Sequence, residues 1–131
     1  ASDRYGMPWM SGGGCLITRD FLRMGLLFAR KGKGVGNRRV GSSSFFEKTI
    51  NNVGPKYMKL SKNKYLYYSN STMVSEDVIG HSGYGGQFLA TNFKTGNVAA
   101  YFSVLKTKSA TKESYKVDMI NMLINLVNNN Y

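Results

Sequence analysis

The sequence has a single cysteine, a single histidine and no long apolar run. One cysteine, Cys15, cannot form an internal disulfide or supply a cluster of thiolate metal ligands, so both kinds of site are excluded. Any chemistry that needs an imidazole must use His81. No uninterrupted apolar segment is long enough to cross a bilayer, so no membrane span is expected.

Acidic residues are also scarce. Seven Asp and Glu stand against 18 Lys and Arg, which gives a formal net charge of +11 and favours anionic partners. The cations, however, are spread over three segments, 30–39, 56–64 and 106–116, with apolar stretches between them. A nucleic-acid footprint requires clustering on one face. We therefore place the cations on solvated loops and helix faces. The charge distribution by itself predicts no nucleic-acid partner.

The length of 131 residues predicts a single domain over 1–131, and 42% apolar residues are typical of a globular protein. A helix is predicted over 19–30, with Thr18 as its N-cap and Lys31 and Gly32 at its end. A shorter helix is predicted over 42–51. A terminal helix follows the Lys-rich linker 106–112, because its apolar residues recur at helical spacing: Val117, Ile120, Leu123, Ile124 and Val127.

Strand signals lie between the second and the terminal helix. Residues 65–68 predict a strand, and 70–77 is interpreted as a polar connection. Two β-favouring runs, 87–91 and 98–105, are joined by a short glycine-containing segment of hairpin length, and the terminal helix is expected to pack on this hairpin. Together these signals predict an α+β fold with an antiparallel sheet flanked by helices.

The segment 80–87, Gly-His-Ser-Gly-Tyr-Gly-Gly-Gln, is the most unusual part of the chain. It surrounds His81 with glycine and serine, which carry almost no side-chain bulk. Glycine is costly in a strand, so this density indicates that a ligand or another piece of backbone approaches closely. The alternative is a tight turn that enters a β-hairpin, with His81 on the surface.

Three blocks in order, 6–14 (glycine-rich), 18–25 (Thr-Arg-Asp-Phe-Leu-Arg-Met-Gly) and 80–87, resemble the C-terminal part of the serine β-lactamase-related hydrolases. That superfamily includes class C β-lactamases, penicillin-binding DD-peptidases, related esterases and aminohexanoate-oligomer hydrolases. The first two blocks are similar to its glycine-rich entry and its T-x-x-D-L-x-R-F-G helix, although the spacing from Thr18 to Asp20 is one residue shorter. Block 80–87 resembles its third motif, written H-x-G in the esterase-like branches and K-T-G in the lactamases.

The resemblance implies the C-terminal portion of the β-lactamase/transpeptidase-like fold and acyl transfer on an ester, amide or β-lactam, without metal or cofactor. His81 would contact the substrate's polar end or assist proton transfer, and the backbone N–H of Tyr84 would be an oxyanion-hole donor. Ser82, Gly83 and Gly85 would line the substrate site. The resemblance also implies a periplasmic or secreted location.

The family's serine nucleophile, in an S-x-x-K motif, is missing ahead of these blocks. Three strings imitate it by chance, starting at Ser61, Ser103 and Ser109, and two others imitate further motifs: Tyr68-Ser69-Asn70 (Y-x-N) and Lys94-Thr95-Gly96 (K-T-G). Their order and position do not fit the family. We therefore expect the nucleophile to lie in an N-terminal part of the same domain, and this chain alone to be inactive.

Two other functions remain open from the sequence. The chain has the residues of a small basic nucleic-acid-binding module, in which tyrosines stack on bases beside lysines: Tyr65, Tyr67, Tyr68 and Tyr84 with Lys59, Lys62 and Lys64. A decayed hydrolase that is kept as a non-catalytic binding protein is the other alternative.

Overall fold

The computed structural model describes residues 4–6, 16–83, 85–103 and 113–129. In these ranges two α-helices are followed by six strands and a third α-helix. The helices are α1 (Thr18–Ala29), α2 (Ser43–Asn51) and α3 (Glu113–Val127), with a short 3-10 turn at Val35–Asn37. The strands are β1 (Lys56–Lys59), β2 (Tyr65–Ser69), β3 (Thr72–Ser75), β4 (Val78–Gly83), β5 (Gln87–Asn92) and β6 (Val98–Phe102).

The strands form one antiparallel sheet in sequence order, β1-β2-β3-β4-β5-β6, so each strand pairs with its neighbours in the chain. Such a meander needs only short turns between strands. The predicted α+β class, an antiparallel sheet flanked by helices, is confirmed.

Strand alternation divides the buried side chains between the two faces of the sheet. Ile79 and Leu89 face α1 and α2, where they pack with Phe28 and Phe46. The intervening residues face α3, which covers the other side with four buried residues; the apolar cluster there includes Val78, Phe88, Ala90, Ile120, Leu123, Ile124 and Val127. Each large side chain that is fully buried contributes about 1.5–3 kcal/mol relative to its exposed state. The sheet is therefore held from both sides.

The helix and hairpin predictions are confirmed. Helices α1 and α2 begin and end within one residue of the predicted bounds, β5 and β6 form the predicted hairpin, and α3 packs on both of its strands. One detail differs: the N-cap of α1 is Ile17, without a side-chain hydrogen bond, and Thr18 is the first helical residue.

The prediction of a polar connection over 70–77 is wrong, because Thr72–Ser75 is the fully buried strand β3. Asn70 and Ser71 both have positive φ, 46° and 62°, which is the backbone of a two-residue hairpin turn. The hydroxyl of Thr72 donates to the carbonyl oxygen of Ser69 at 2.7 Å. The buried hydroxyl of Thr72 thus has a local acceptor, whereas that of Ser75, at the other end of the strand, is buried without a hydrogen-bond partner among the described residues. Strand β1 was also not predicted.

Candidate functional site

The end of β4 carries His81, Ser82 and Gly83, three of the predicted site residues. Strand β5 pairs with β4 along its whole length, to Gly83. Strand β3 pairs with β4 only as far as Gly80. On the β3 side, therefore, no strand among the described residues pairs with the last three residues of β4. We call this stretch, which is unpaired on that side among the described residues, the open edge of β4.

The turn from β4 to β5 has left-handed backbone at Gly85 and Gly86, with φ of 89° and 91°. Only glycine adopts these angles without strain, so the turn itself accounts for part of the glycine density. A Cβ atom at Gly83 would lie 2.9 Å from Oε1 of Gln87, and one at Gly85 would lie 3.2 Å from its Nε2. The carboxamide of Gln87 therefore lies across the turn. The predicted donor at Tyr84 lies outside the described residues.

His81 is half-buried on the α1 side of the sheet, and its ring centroid is 5.7 Å from that of Phe28. Burial in this apolar environment lowers the pKa of His81 below its ordinary value of 6.5. The imidazole is therefore neutral near pH 7, with one nitrogen that donates and one that accepts. A neutral imidazole at a strand end is chemically suited to take up a proton.

Ser82 points away from His81. It pairs with Phe88, whose side chain lies in the cluster beneath α3, whereas His81 contacts Phe28 of α1. Neighbouring strand residues face opposite sides of a sheet. His81 and Ser82 are neighbours in the chain, but their side chains lie on opposite faces of the sheet. The two side chains therefore cannot act as a hydrogen-bonded pair.

Ser103 was not predicted as part of this region, yet it closes the β4–β5 turn from the side of β6. Its hydroxyl donates to the carbonyl oxygen of Gly86 at 3.0 Å and lies 3.4 Å from the hydroxyl of Tyr115. Its backbone N–H donates to the same carbonyl at 3.2 Å. The register of the β5–β6 hairpin could have predicted this position, because the pairing of Gln87 with Phe102 brings Ser103 next to Gly86.

The strings that imitate catalytic motifs have structural contacts of their own. The Nζ atom of Lys64 lies 2.8 Å from Oε2 of Glu76, and that of Lys94 lies 2.9 Å from Oδ1 of Asp77. Lys94 belongs to the β5–β6 turn, at the opposite end of β5 from the β4–β5 turn. The amide of Asn70 donates to the hydroxyl of Thr49 in α2 at 3.0 Å. These side chains are not assembled into one site.

The tyrosines of the nucleic-acid alternative are divided between the two faces of the sheet. Tyr67 pairs with Val74, which packs on the α1 and α2 side, and Tyr68 pairs with Met73, which packs beneath α3. Base stacking along a strand of nucleic acid needs aromatic rings on one surface. Tyr65 shares the face of Tyr67, so the three described tyrosines of β2 do not all lie on one surface.

Across residues 4–6, 16–83, 85–103 and 113–129, no group of three or more His, Cys, Asp and Glu side chains is placed to hold a metal ion. None of the helices in these ranges has the length and apolar character of a membrane span.

Lowering the pH is expected to destabilise the fold through His81. Burial lowers its pKa in the folded state, so the unfolded chain takes up the proton first as the pH falls through 6.5. The free energy of unfolding should then decrease by at most about 1.4 kcal/mol per pH unit, the value for one proton. Urea denaturation at a series of pH values from about 7.5 to 5.5, above the range where carboxylates titrate, measures this slope.

The matched control is His81→Gln, which removes the titrating group and keeps a polar side chain. Its stability should vary much less over the same pH range. Equal slopes in the two proteins would show that His81 is not the group responsible.

The sequence matches no family model, and no match was found among curated proteins or solved structures. Function is therefore inferred from the hairpin geometry and from the three sequence blocks.

Proposed function

We propose that the chain is the C-terminal part of a serine hydrolase related to the β-lactamases, which acts by acyl transfer on an ester, amide or β-lactam. The observation that carries this proposal is the open edge of β4 at His81–Gly83, beside a turn with glycine at positions 85 and 86. The antiparallel sheet with helices on both faces is compatible with the C-terminal portion of the β-lactamase/transpeptidase-like fold.

The open edge gives the proposed site a way to hold its substrate. An extended substrate can pair with the free backbone groups of a strand edge, as peptides do when they add a strand to a sheet. Gly83 presents no side chain to such a substrate. His81, on the α1 side of the same strand end, would contact the substrate's polar end or accept a proton. The resemblance adds the backbone N–H of Tyr84 as a donor to the developing oxyanion.

The nucleophile in this proposal comes from outside the described residues. An acyl-transfer serine must have a base within hydrogen-bond reach. Ser82 faces away from His81, and the hydroxyl of Ser103 donates to a backbone carbonyl. We therefore assign the nucleophile to a segment that precedes the three blocks in a longer chain. There the serine would attack the substrate carbonyl, form an acyl-enzyme and release the leaving group, and water would then hydrolyse the ester.

The chain of 131 residues is expected to form no acyl-enzyme. After incubation with a fluorescent penicillin or an activated ester, intact-mass spectrometry should show no stoichiometric adduct. A stoichiometric adduct that peptide mapping assigns to a serine of this chain would overturn the assignment of the nucleophile.

The hydrolase proposal itself is tested in the coding DNA upstream of the codon for Ala1. We expect an in-frame S-x-x-K on a predicted helix, followed by Y-x-N, and we expect the longer chain to be acylated. In that chain His81→Ala should slow acylation by about 10²-fold or more, the usual contribution of a proton-transfer residue. An in-frame stop codon without these motifs would contradict the proposal and favour a binding protein.

A further inference from the structure

An open groove of about 470 Å³ lies where α1 leads into α2. It is lined by residues from the end of α1, the connecting loop and the first turn of α2: Ala29, Arg30, Lys31, Lys33, Asn37, Arg39 and Ser43. We call this surface the basic groove, because four of its residues are cations and none is acidic. Its volume is in the range of pockets that bind small ligands.

The loop that carries the cations is ordered by its own hydrogen bonds. Lys33 and Arg39 form an isolated antiparallel bridge, and the N–H of Gly34 donates to the carbonyl oxygen of Arg38 at 2.8 Å. Nη1 of Arg39 donates to the carbonyl oxygen of Lys31 at 2.7 Å. The backbone thus holds four like charges around one concave surface, and their mutual repulsion costs folding free energy.

No acidic side chain of the described residues neutralises this charge. The ion pairs there join Arg23 to Asp20, Lys64 to Glu76 and Lys94 to Asp77. Glu47, one helical turn after Ser43, takes part in none of them and does not line the groove. A bound anion would reduce this repulsion and add acceptors for the cationic side chains.

We propose that the basic groove binds a phosphate-bearing anion, with room for two linked phosphate groups. The guanidinium of Arg30 suits phosphate because its planar fork donates two parallel hydrogen bonds. Lys33 adds a mobile ammonium group, and Arg39, which already holds the loop, adds charge. The groove uses residues 29–43 and shares none with the end of β4, so the proposal stands or falls independently of the hydrolase assignment.

Calorimetric titration with inorganic pyrophosphate at constant ionic strength tests the proposal. We expect saturable binding of one equivalent. The double variant Arg30→Gln/Lys33→Gln should weaken it by at least about tenfold, the effect of losing one charge-assisted hydrogen bond. The control Arg19→Gln/Lys94→Gln lowers the net charge by the same amount at exposed positions outside the groove and should bind as the parent does. Thermal melts establish that both variants fold.

Two arms identify the source of the phosphate. Binding to vesicles of phosphatidylglycerol but not phosphatidylcholine, with competition by pyrophosphate, would assign the groove to lipid headgroups; binding of pyrophosphate without binding to vesicles would assign it to a soluble phosphate. Both results support the groove. Absence of saturable binding, or equal weakening by the two double variants, would overturn it. Binding of RNA alone, with equal losses in both variants, would also overturn it, because diffuse charge would then explain the affinity.

Discussion

Replacing Gly80 with alanine is expected to lower the free energy of unfolding by about 3 kcal/mol, the upper range for a group forced into a packed interior. A Cβ atom at this position would overlap the backbone carbonyl oxygen of Leu89 on the neighbouring strand. A carbonyl in a ladder cannot rotate away as a side chain does. The pairing of β4 with β5 would have to shift, and with it the position of His81, the residue after Gly80. Urea denaturation monitored by circular dichroism measures the loss.

The control for this substitution is Gly34→Ala. There the added Cβ would lie 2.9 Å from Cγ2 of Val40, an exposed side chain that is free to move, so the stability should change by less than about 0.5 kcal/mol. A cavity of about 20 Å³ lies beside Gly80, among Leu66, Met73 and residues of α3. If Gly80→Ala were as stable as the parent, the methyl group would have to occupy this cavity, and the strain argument would be wrong.

Truncation of Phe88 to alanine is expected to cost about 3–5 kcal/mol of unfolding free energy, the range for deletion of a buried aromatic ring. Phe88 is 1% exposed, and its ring centroid lies 6.4 Å from that of Tyr115 at the start of α3. Its loss leaves a hole between β5 and α3 that neighbouring elements fill only in part. We expect a large decrease in the urea midpoint and an increase in the exchange rate of α3 amides.

Phe102→Ala is the matched control, because it removes the same ring from the adjoining strand on the other face. Phe102 is 38% exposed and its ring packs against Phe21 at 5.3 Å, so we expect a loss of about 1 kcal/mol. Equal losses in the two variants would show that the α3 face is no more essential to the fold than the α1 face.

The alternation at the end of β4 limits how the proposed site can work. His81 shares the α1 face with Phe28, and Ser82 shares the α3 face with Phe88. A substrate at the open edge therefore meets the imidazole on one side only. The serine hydroxyl on the other side can bind substrate but cannot exchange a proton directly with His81.

Local signals in the sequence were sufficient for a large part of this fold. The helices α1, α2 and α3 each carry apolar residues at helical spacing, and the β5–β6 hairpin carries two β-favouring runs around a turn of the right length. Helical spacing and turn chemistry act over a few residues, so they are readable from the chain itself.

Local patterns in the sequence were enough to predict the α+β class, the three helices and the β5–β6 hairpin. Long-range contacts show that Thr72–Ser75 is a buried strand, that the pairing of β3 with β4 ends at Gly80, and that Ser103 donates to Gly86 of the β4–β5 turn. Only the folding of its loop brings Arg30 and Arg39 to one groove. Strand pairing, burial and charge clustering depend on contacts between residues far apart in the chain, so local sequence patterns do not predict them.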